Sequence, residues 1–427
     1  MLNFACKLIA LCFLTVPLVV FAQIEDTAAT SQESVLYAFK GNADGGEPWG
    51  RVISDQAGNL YGTTLDEYGG NGTVYELSPA IGGGWSKTIL YSFQGGTDGF
   101  GVTGGLVFDT SGNLYGMTGQ GGLFGFGTVF ELMPNSAGGW TKIVLHNFNY
   151  TDGYLPVSSL VFDQSGNLFG MTPYGGSGCT AGCGVIFELT KSKTGWKESV
   201  IHRFSGGDGY GPLGALTFDK QGNLYGAASA SGTDDRDGVV FKLQVTGSGW
   251  TYSVLHTFYN APPKCNVGNF AGEPPTLLLD QSGNIYGPAQ AGGPHACTYG
   301  TIWELSPSQG KWSLKVLYAF SRSIDGYPKG SLTPDQQGNL YGVTVDLANG
   351  ASGLGTVFKL APNPTGPWSK TVLHYFTGVN SGDGDTPVDA PIFATSGDLY
   401  GTTIYGGYGQ GICASFNGCG VIYQVKP

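Results

Sequence analysis

The chain has 427 residues, a formal net charge of −11 and 74 glycines, more than twice the usual glycine share of about 7%. The acidic balance disfavours nucleic acid and anionic membrane surfaces as partners, since clustered Lys and Arg supply affinity for both. The glycines alternate with Tyr, Phe, Val and Leu, which points to tight turns between strands rather than disorder.

In chain order, the first element is a leader. Lys7 precedes an apolar run over 8–22 that ends in Val20-Phe21-Ala22, a small-x-small cleavage pattern. Residues 1–22 are expected to be a signal peptide cleaved near Ala22, and residues 23–33 a short linker. Pro17 and the shortness of the run argue against a retained membrane helix. Cys12 follows Leu11 rather than the small residue that a lipidation site needs. No later stretch is apolar enough to span a bilayer, and the chain ends at Val425-Lys426-Pro427 with no anchor pattern. The sequence therefore predicts a secreted or periplasmic monomer without membrane insertion.

Residues 34–427 repeat one phrase, Gly-Asn-Leu-Tyr-Gly, opened by Gly58, Gly112, Gly166, Gly222, Gly283, Gly338 and Gly397. Phe169 replaces Tyr, Ile285 replaces Leu and Asp398 replaces Asn in three copies. Spacings of 54 to 61 residues are too long for a helical solenoid and suit a propeller blade built of short strands. In the second copy, alternation and β-branched or aromatic content predict strands a over 106–109, b over 113–118, c over 128–132 and d over 142–148. A d-type segment also occurs at 34–39, before any a strand, and the chain ends on a c strand at 421–425. The prediction is an all-β, seven-bladed β-propeller of four-stranded blades, its last blade closed by the N-terminal strand, which removes exposed edges.

Two repeated features read as construction. In Asp-x-x-Gly-Asn, Asp109 can cap turn N–H groups while Gly112 supplies a left-handed conformation. Trp85, Trp140, Trp196, Trp250, Trp312 and Trp368 all open strand d, where packing between blades explains them better than six ligands would.

The run Asp-x-x-Gly-Asn-Leu-Tyr-Gly-x-Thr, the Gly-Gly that follows it, and Gly-Thr-Val-Phe-Glu-Leu over 127–132 recur in order. Over roughly 34–427 the chain thus resembles the GloVer-type, or choice-of-anchor, tandem-repeat proteins exported by bacteria. The resemblance implies export and a repeat architecture, often with a C-terminal anchor that this chain departs from in lacking. It implies no catalytic residues.

Cys6 and Cys12 leave with the leader, and proximity pairs the rest as Cys179/Cys183, Cys265/Cys297 and Cys413/Cys419. An oxidising compartment would make these disulfides. The close pairs sit in different repeats without nearby histidines, against a metal site.

In a propeller the d–a and b–c connections share one face. There the d–a loops repeat Asp98-Gly99-Phe100, Asp152-Gly153-Tyr154, Asp208-Gly209-Tyr210 and Asp325-Gly326-Tyr327, with partial copies at Asp44-Gly45 and Asp383-Gly384. The b–c loops add Tyr68, Phe124, Phe126, Tyr174, Tyr405 and Tyr408. Carboxylates beside aromatic rings suit sugars, since acids accept hydroxyl protons and C–H faces pack on rings. The alternative is structural: each Asp closes a turn and each aromatic wedges between blades.

Departures from the repeat carry more functional information. Trp49 has no counterpart in other blades. The 233–237 loop holds Asp234, Asp235 and Asp237, either a solvated turn or a calcium site. The long loop 259–275, tied by Cys265 to Cys297, would lie beside His295. Enzyme signals are thin. His146, His202, His256 and His374 share one strand-d position where Tyr37, Tyr91 and Tyr318 stand in other blades, so no triad is indicated. No carboxylate pair stands out for glycoside cleavage. No cofactor is expected, calcium excepted. The reading is a non-catalytic propeller that binds a carbohydrate or protein on the d–a/b–c face. A glycan-active hydrolase or lyase on that face, or a structural surface protein, are the alternatives.

Overall fold

The computed structural model describes residues 33–65, 70–102, 104–177, 179, 182–193, 195–229, 236–247, 249–259, 274–293, 299–321, 326–345 and 354–427. These residues form seven antiparallel sheets that follow one another along the chain as the blades of a β-propeller. Blade 1 is typical, with strands a to d at Ile53–Ser54, Leu60–Thr64, Thr73–Pro79 and Trp85–Ser92 paired in that order. In blade 7, Gly384–Pro387 and Ile392–Phe393 both pair with Leu399–Gly406, which pairs with Val421–Val425. The outer strand of that blade is Glu33–Ala38, running antiparallel to the last strand with Glu33 opposite Val425 and Ala38 opposite Val421. The N-terminal strand therefore closes the ring.

The recurring Leu-Tyr-Gly is strand b, and its five residues are buried in six of the blades, for example Leu60–Thr64 and Leu114–Thr118. A strand covered on both sides reads as a continuous apolar run, as observed. Its glycine faces a strand-c aromatic in every blade: Gly62 opposite Tyr75, Gly116 opposite Phe130, Gly170 opposite Phe187, Gly226 opposite Phe241, Gly287 opposite Trp303, Gly342 opposite Phe358 and Gly401 opposite Tyr423. A Cβ at Gly116 or Gly170 would stand 2.6 Å from the Cζ of its partner ring, so the ring lies flat across the bare backbone.

From there each ring reaches the previous blade. Tyr75 meets Phe39, Phe130 meets Phe93, Phe187 meets Phe148, Phe241 meets Phe204, Trp303 meets Phe258, Phe358 meets Phe320 and Tyr423 meets Phe376. Centroids are 5.0 to 5.6 Å apart, within the range of favourable aromatic pairs. The strand-d tryptophans add a second interblade layer, Trp85 on Tyr400, Trp196 on Tyr115 and Trp250 on Phe169.

The a–b turns work through Asp. Asp109 Oδ1 accepts the N–H groups of Ser111 and Asn113 at 2.8 and 2.9 Å, while Oδ2 accepts Asn113 Nδ2 and Tyr115 Oη. Asp55, Asp219, Asp280 and Asp335 make the same four bonds. Blade 7 has Ala394 there and keeps the turn by its backbone bonds together with Ser396 Oγ, which accepts the N–H of Asp398 at 3.3 Å and donates to Asp398 Oδ2 at 2.9 Å.

Burial acts to raise the carboxyls of Asp109, Asp219, Asp280 and Asp335, but the turn's donors outweigh it and hold them below the ordinary value. A depressed carboxyl stabilises the fold above the unfolded carboxylate value and loses that contribution as pH falls through the folded one. Asp109→Asn, which turns an acceptor into a donor facing Asn113 and Tyr115, should cost about 1 kcal/mol near neutrality. Urea unfolding should show the gap to wild type shrinking as pH falls through the folded Asp109 value, where the wild-type side chain also becomes neutral.

Candidate functional site: the loop face and channel mouth

The d–a and b–c loops meet in bridges at Phe100 with Gln120, Tyr154 with Tyr174 and Tyr210 with Ser229, so they build one face. Within the Asp-Gly-aromatic copies the two side chains part company. The acids turn inward to construction: Asp98, Asp152 and Asp208 accept the N–H groups of Gln94, Asn149 and Ser205, each at 2.8 Å, closing their own loops. The aromatics stay on the face, half-buried.

On blades 2 to 4 these rings join a continuous band. Phe126 lies 5.4 Å from Tyr150 and 5.5 Å from Tyr154, Tyr154 lies 6.0 Å from Tyr174, and Tyr174 lies 6.3 Å from Tyr210. Tyr174 is 36% exposed, and Leu123 and Phe124 stand free beside the band. Burial raises the Tyr210 hydroxyl, reinforced by Tyr174 and Tyr150, which marks the phenols as one cluster. Tyr150 was not singled out in the sequence because it precedes the Asp-Gly.

Tyr327 departs from the expected equivalence. Its N–H donates to Tyr299 O, as Leu155 N–H does to Phe126 O and Gly211 N–H to Cys183 O. It therefore occupies the position of Leu155, with the same positive φ (59° against 57°), one residue beyond that of Tyr154. The loop entering blade 6 has the same length, but its Asp-Gly comes one residue later, five positions after Phe320 where Asp152 comes four after Phe148, so matching by motif slips the register. Tyr327 still meets a b–c aromatic, Tyr299, at 6.0 Å.

Trp49 sits at the mouth of the central channel, 38% exposed. The segments entering strand a in all seven blades line a cavity of about 270 Å³ there. Neighbouring segments approach backbone to backbone: a Cβ on Gly104 would collide with Ser158 O, and one on Gly214 with Pro275 O. Small residues dominate this lining, with one sector excepted. Lys329 Nζ lies 5.8 Å from the Trp49 ring. Arg51 Nη2 donates to Thr333 Oγ1 at 2.6 Å and to Pro391 O at 3.4 Å, while Nη1 reaches Ser331 Oγ at 3.5 Å. Its Nε is buried without a hydrogen-bond partner. Asp389 Oδ1 accepts the N–H groups of Ser331 and Ala390, each at 2.8 Å. The three charged side chains of the lining, Arg51, Lys329 and Asp389, and its one tryptophan, Trp49, thus come from the adjacent blades 6, 7 and 1. Aligning the repeats could have found them: Gly105, Ser159, Ala215, Thr276, Ser331 and Ala390 hold the position of Arg51 in the other blades.

The strand-d histidines lie at blade junctions rather than on this face. His146 Nε2 is 3.2 Å from Asp152 Oδ2, His202 Nε2 is 3.1 Å from Asp208 Oδ2, and His374 Nε2 is 3.0 Å from Asp383 Oδ2. Glu198 joins the first and Glu33 the third. Burial pushes Glu198 up to about 7, with His146 opposing and Asp152 reinforcing. Burial pushes Glu33 up to about 7 as well, with Asp383 reinforcing and His374 opposing. His256 is pulled down to about 4 by burial.

Cys179–Cys183 and Cys413–Cys419 are disulfide-bonded as paired from the sequence. Tyr68, Asp234, Asp235, Cys265, His295, Cys297 and Asp325 lie outside the described residues, as does the side chain of Asp237.

The model of a family described as the Gloeobacter/Verrucomicrobia repeat matches residues 24–217 and 177–416. No curated protein sequence matches the chain. Solved structures similar to it include a gluconolactonase from Xanthomonas campestris (13% identity, TM-score 0.41, covering 73% of this chain and 86% of that one). A protein from Lactobacillus plantarum is similar at 13% identity and TM-score 0.45, covering 77% and 84% of the two chains. A protein of unknown function from Dyadobacter fermentans is similar at 11% identity and TM-score 0.43, covering 79% and 97%.

Arg51 ties blade 1 to strand a of blade 6 and to blade 7 through a charged donor. Arg51→Ala should lower stability by about 2–3 kcal/mol, read as a reduced urea midpoint. Trp49→Ala, at the exposed rim, should leave that midpoint within about 1 kcal/mol of wild type.

Proposed function

We propose that this chain, which belongs to the Gloeobacter/Verrucomicrobia repeat family, is an exported, non-catalytic propeller that binds a polysaccharide across its d–a/b–c face. The observation that carries this is the aromatic band of Phe126, Tyr150, Tyr154, Tyr174 and Tyr210, five neighbouring rings at one open surface, four of them phenols. Rings of this kind accept the C–H faces of sugars while phenol groups exchange hydrogen bonds with sugar hydroxyls. Trp49 offers a further ring at the channel mouth. A cavity of about 270 Å³ falls below the roughly 300–1,000 Å³ of whole-ligand pockets. It suits a substituent or chain end rather than the whole ligand.

Two features support export. The apolar leader reads as a signal peptide, and the bonded pairs Cys179–Cys183 and Cys413–Cys419 suit an oxidising compartment. Binding without cleavage accords with the acids of the face: Asp98, Asp152 and Asp208 are engaged in closing their own loops.

The test is a panel of soluble polysaccharides assayed for retention by affinity electrophoresis and for release of reducing ends in the same samples. Wild type should retain at least one polymer and leave it intact. Tyr154→Ala, Tyr174→Ala and Trp49→Ala should each weaken retention about fivefold. Product release would favour a hydrolase or lyase, and no retention across the panel would count against glycan binding.

A further inference from the structure

Each described blade junction gathers three side chains: one on strand d, the Asp of the loop that follows, and one on strand d of the next blade. Entering blades 1 and 2 these are Tyr37, Asp44 and Lys87, then Tyr91, Asp98 and Lys142. The lysine Nζ atoms lie 2.8 and 2.7 Å from the Asp Oδ1 atoms, so a cation occupies the point where the groups converge. Entering blades 3 and 7 the sets are His146, Asp152 and Glu198, then His374, Asp383 and Glu33. Imidazole has replaced phenol, and a second carboxylate has replaced the cation.

In both of these sets one ligand atom from each residue lies within 4.8 Å of the others. Oε1 of Glu198 and Oε1 of Glu33 are buried with no hydrogen-bond partner, an arrangement folded proteins avoid unless something else completes it. Arg203 is the additional charged group felt by Glu198.

We propose that these two junctions are divalent metal sites of the zinc class, with the ion at the place the lysine ammonium holds elsewhere. One imidazole nitrogen and two carboxylate oxygens are ligands zinc accepts, with water able to fill the fourth position. The His-to-Asp separations of 3.2 and 3.0 Å approach the edge of about 3.3 Å between tetrahedral ligands set about 2.0 Å from zinc. Imidazole selects a transition metal over calcium, whose ligands are oxygens. The supporting donors are already in place. Asn149 N and Nδ2 bond Asp152, each at 2.8 Å, and Thr377 N and Oγ1 bond Asp383 at 2.8 and 2.9 Å. Such outer contacts orient metal-binding carboxylates. That the same residue set arises at two separate junctions makes the second an independent instance of the first. At the blade 6 to blade 7 junction the ion would clamp the N-terminal closing strand through Glu33.

The untagged chain, stripped with a chelator, is titrated with zinc sulfate by calorimetry and followed by thermal unfolding. Two equivalents should bind, and the midpoint should rise with zinc concentration. Glu198→Lys should remove one equivalent and Glu33→Lys the other. His146→Tyr/Glu198→Lys, which recreates the residue set of the blade 1 to blade 2 junction, should keep the native circular dichroism while losing one equivalent. The proposal is overturned if wild type takes up no zinc at roughly 10 μM, if calcium binds these sites in preference, or if both equivalents survive the paired Glu substitutions.

Discussion

The fold depends on a bare patch of backbone. In each blade the glycine of Leu-Tyr-Gly leaves strand b without a side chain where the strand-c aromatic lies across it. That lets the ring settle low enough to receive the phenylalanine ending strand d of the blade before. Any side chain on this glycine would lift the ring and break two contacts together, one within a blade and one between blades. Seven such pairs in series, from Phe39 on Tyr75 to Phe376 on Tyr423, make the ring continuous. The phrase recurs because the geometry at its last glycine admits nothing larger.

A scaffold held by repeated glycines and rings leaves other positions free to differ. At the channel mouth small residues predominate until blades 6, 7 and 1, where Trp49, Arg51, Lys329 and Asp389 crowd together. At four junctions between blades the exchange is paired, phenol facing lysine and imidazole facing glutamate, while between blades 3 and 4 His202 stacks on Tyr252 at 3.9 Å. Tyr37 and Tyr91 accompany Lys87 and Lys142, whereas His146 and His374 accompany Glu198 and Glu33. Burial makes lone charge costly, so at these four junctions the two partners change together.

Much of this was legible in the sequence, for physical reasons. Blade number and closure follow from counting strands. The role of Asp109 and its equivalents follows from local turn chemistry, which acts within five residues. Trp85, Trp196 and Trp250 were placed between blades because one repeated position serves one repeated contact. What escaped the reading is assembled across the ring. Arg51 meets Ser331 and Thr333 across more than half the chain, and Glu33 joins His374 and Asp383 from the opposite terminus. Tyr327 was matched by motif, yet an Asp-Gly set one residue later in a loop of equal length places it with Leu155. The aromatic band was half visible, since Tyr154 and Tyr210 belong to a repeated motif and Tyr150 does not.

The closing strand has a temporal consequence. Ser34 bonds Gln424 across 390 positions of sequence, so the closing strand is separated from its partner by almost the whole propeller. Blades 1 to 6 are each built from contiguous chain, while blade 7 takes its outer strand from the far side of the repeat array. Contacts of such long sequence separation form slowly. The same closure brings Phe39 onto Tyr75, so pairing of the outer strand and burial of this ring contact are one event. Closure of the ring thus rests on one pairing that spans nearly the entire propeller, the costliest loop closure in the fold.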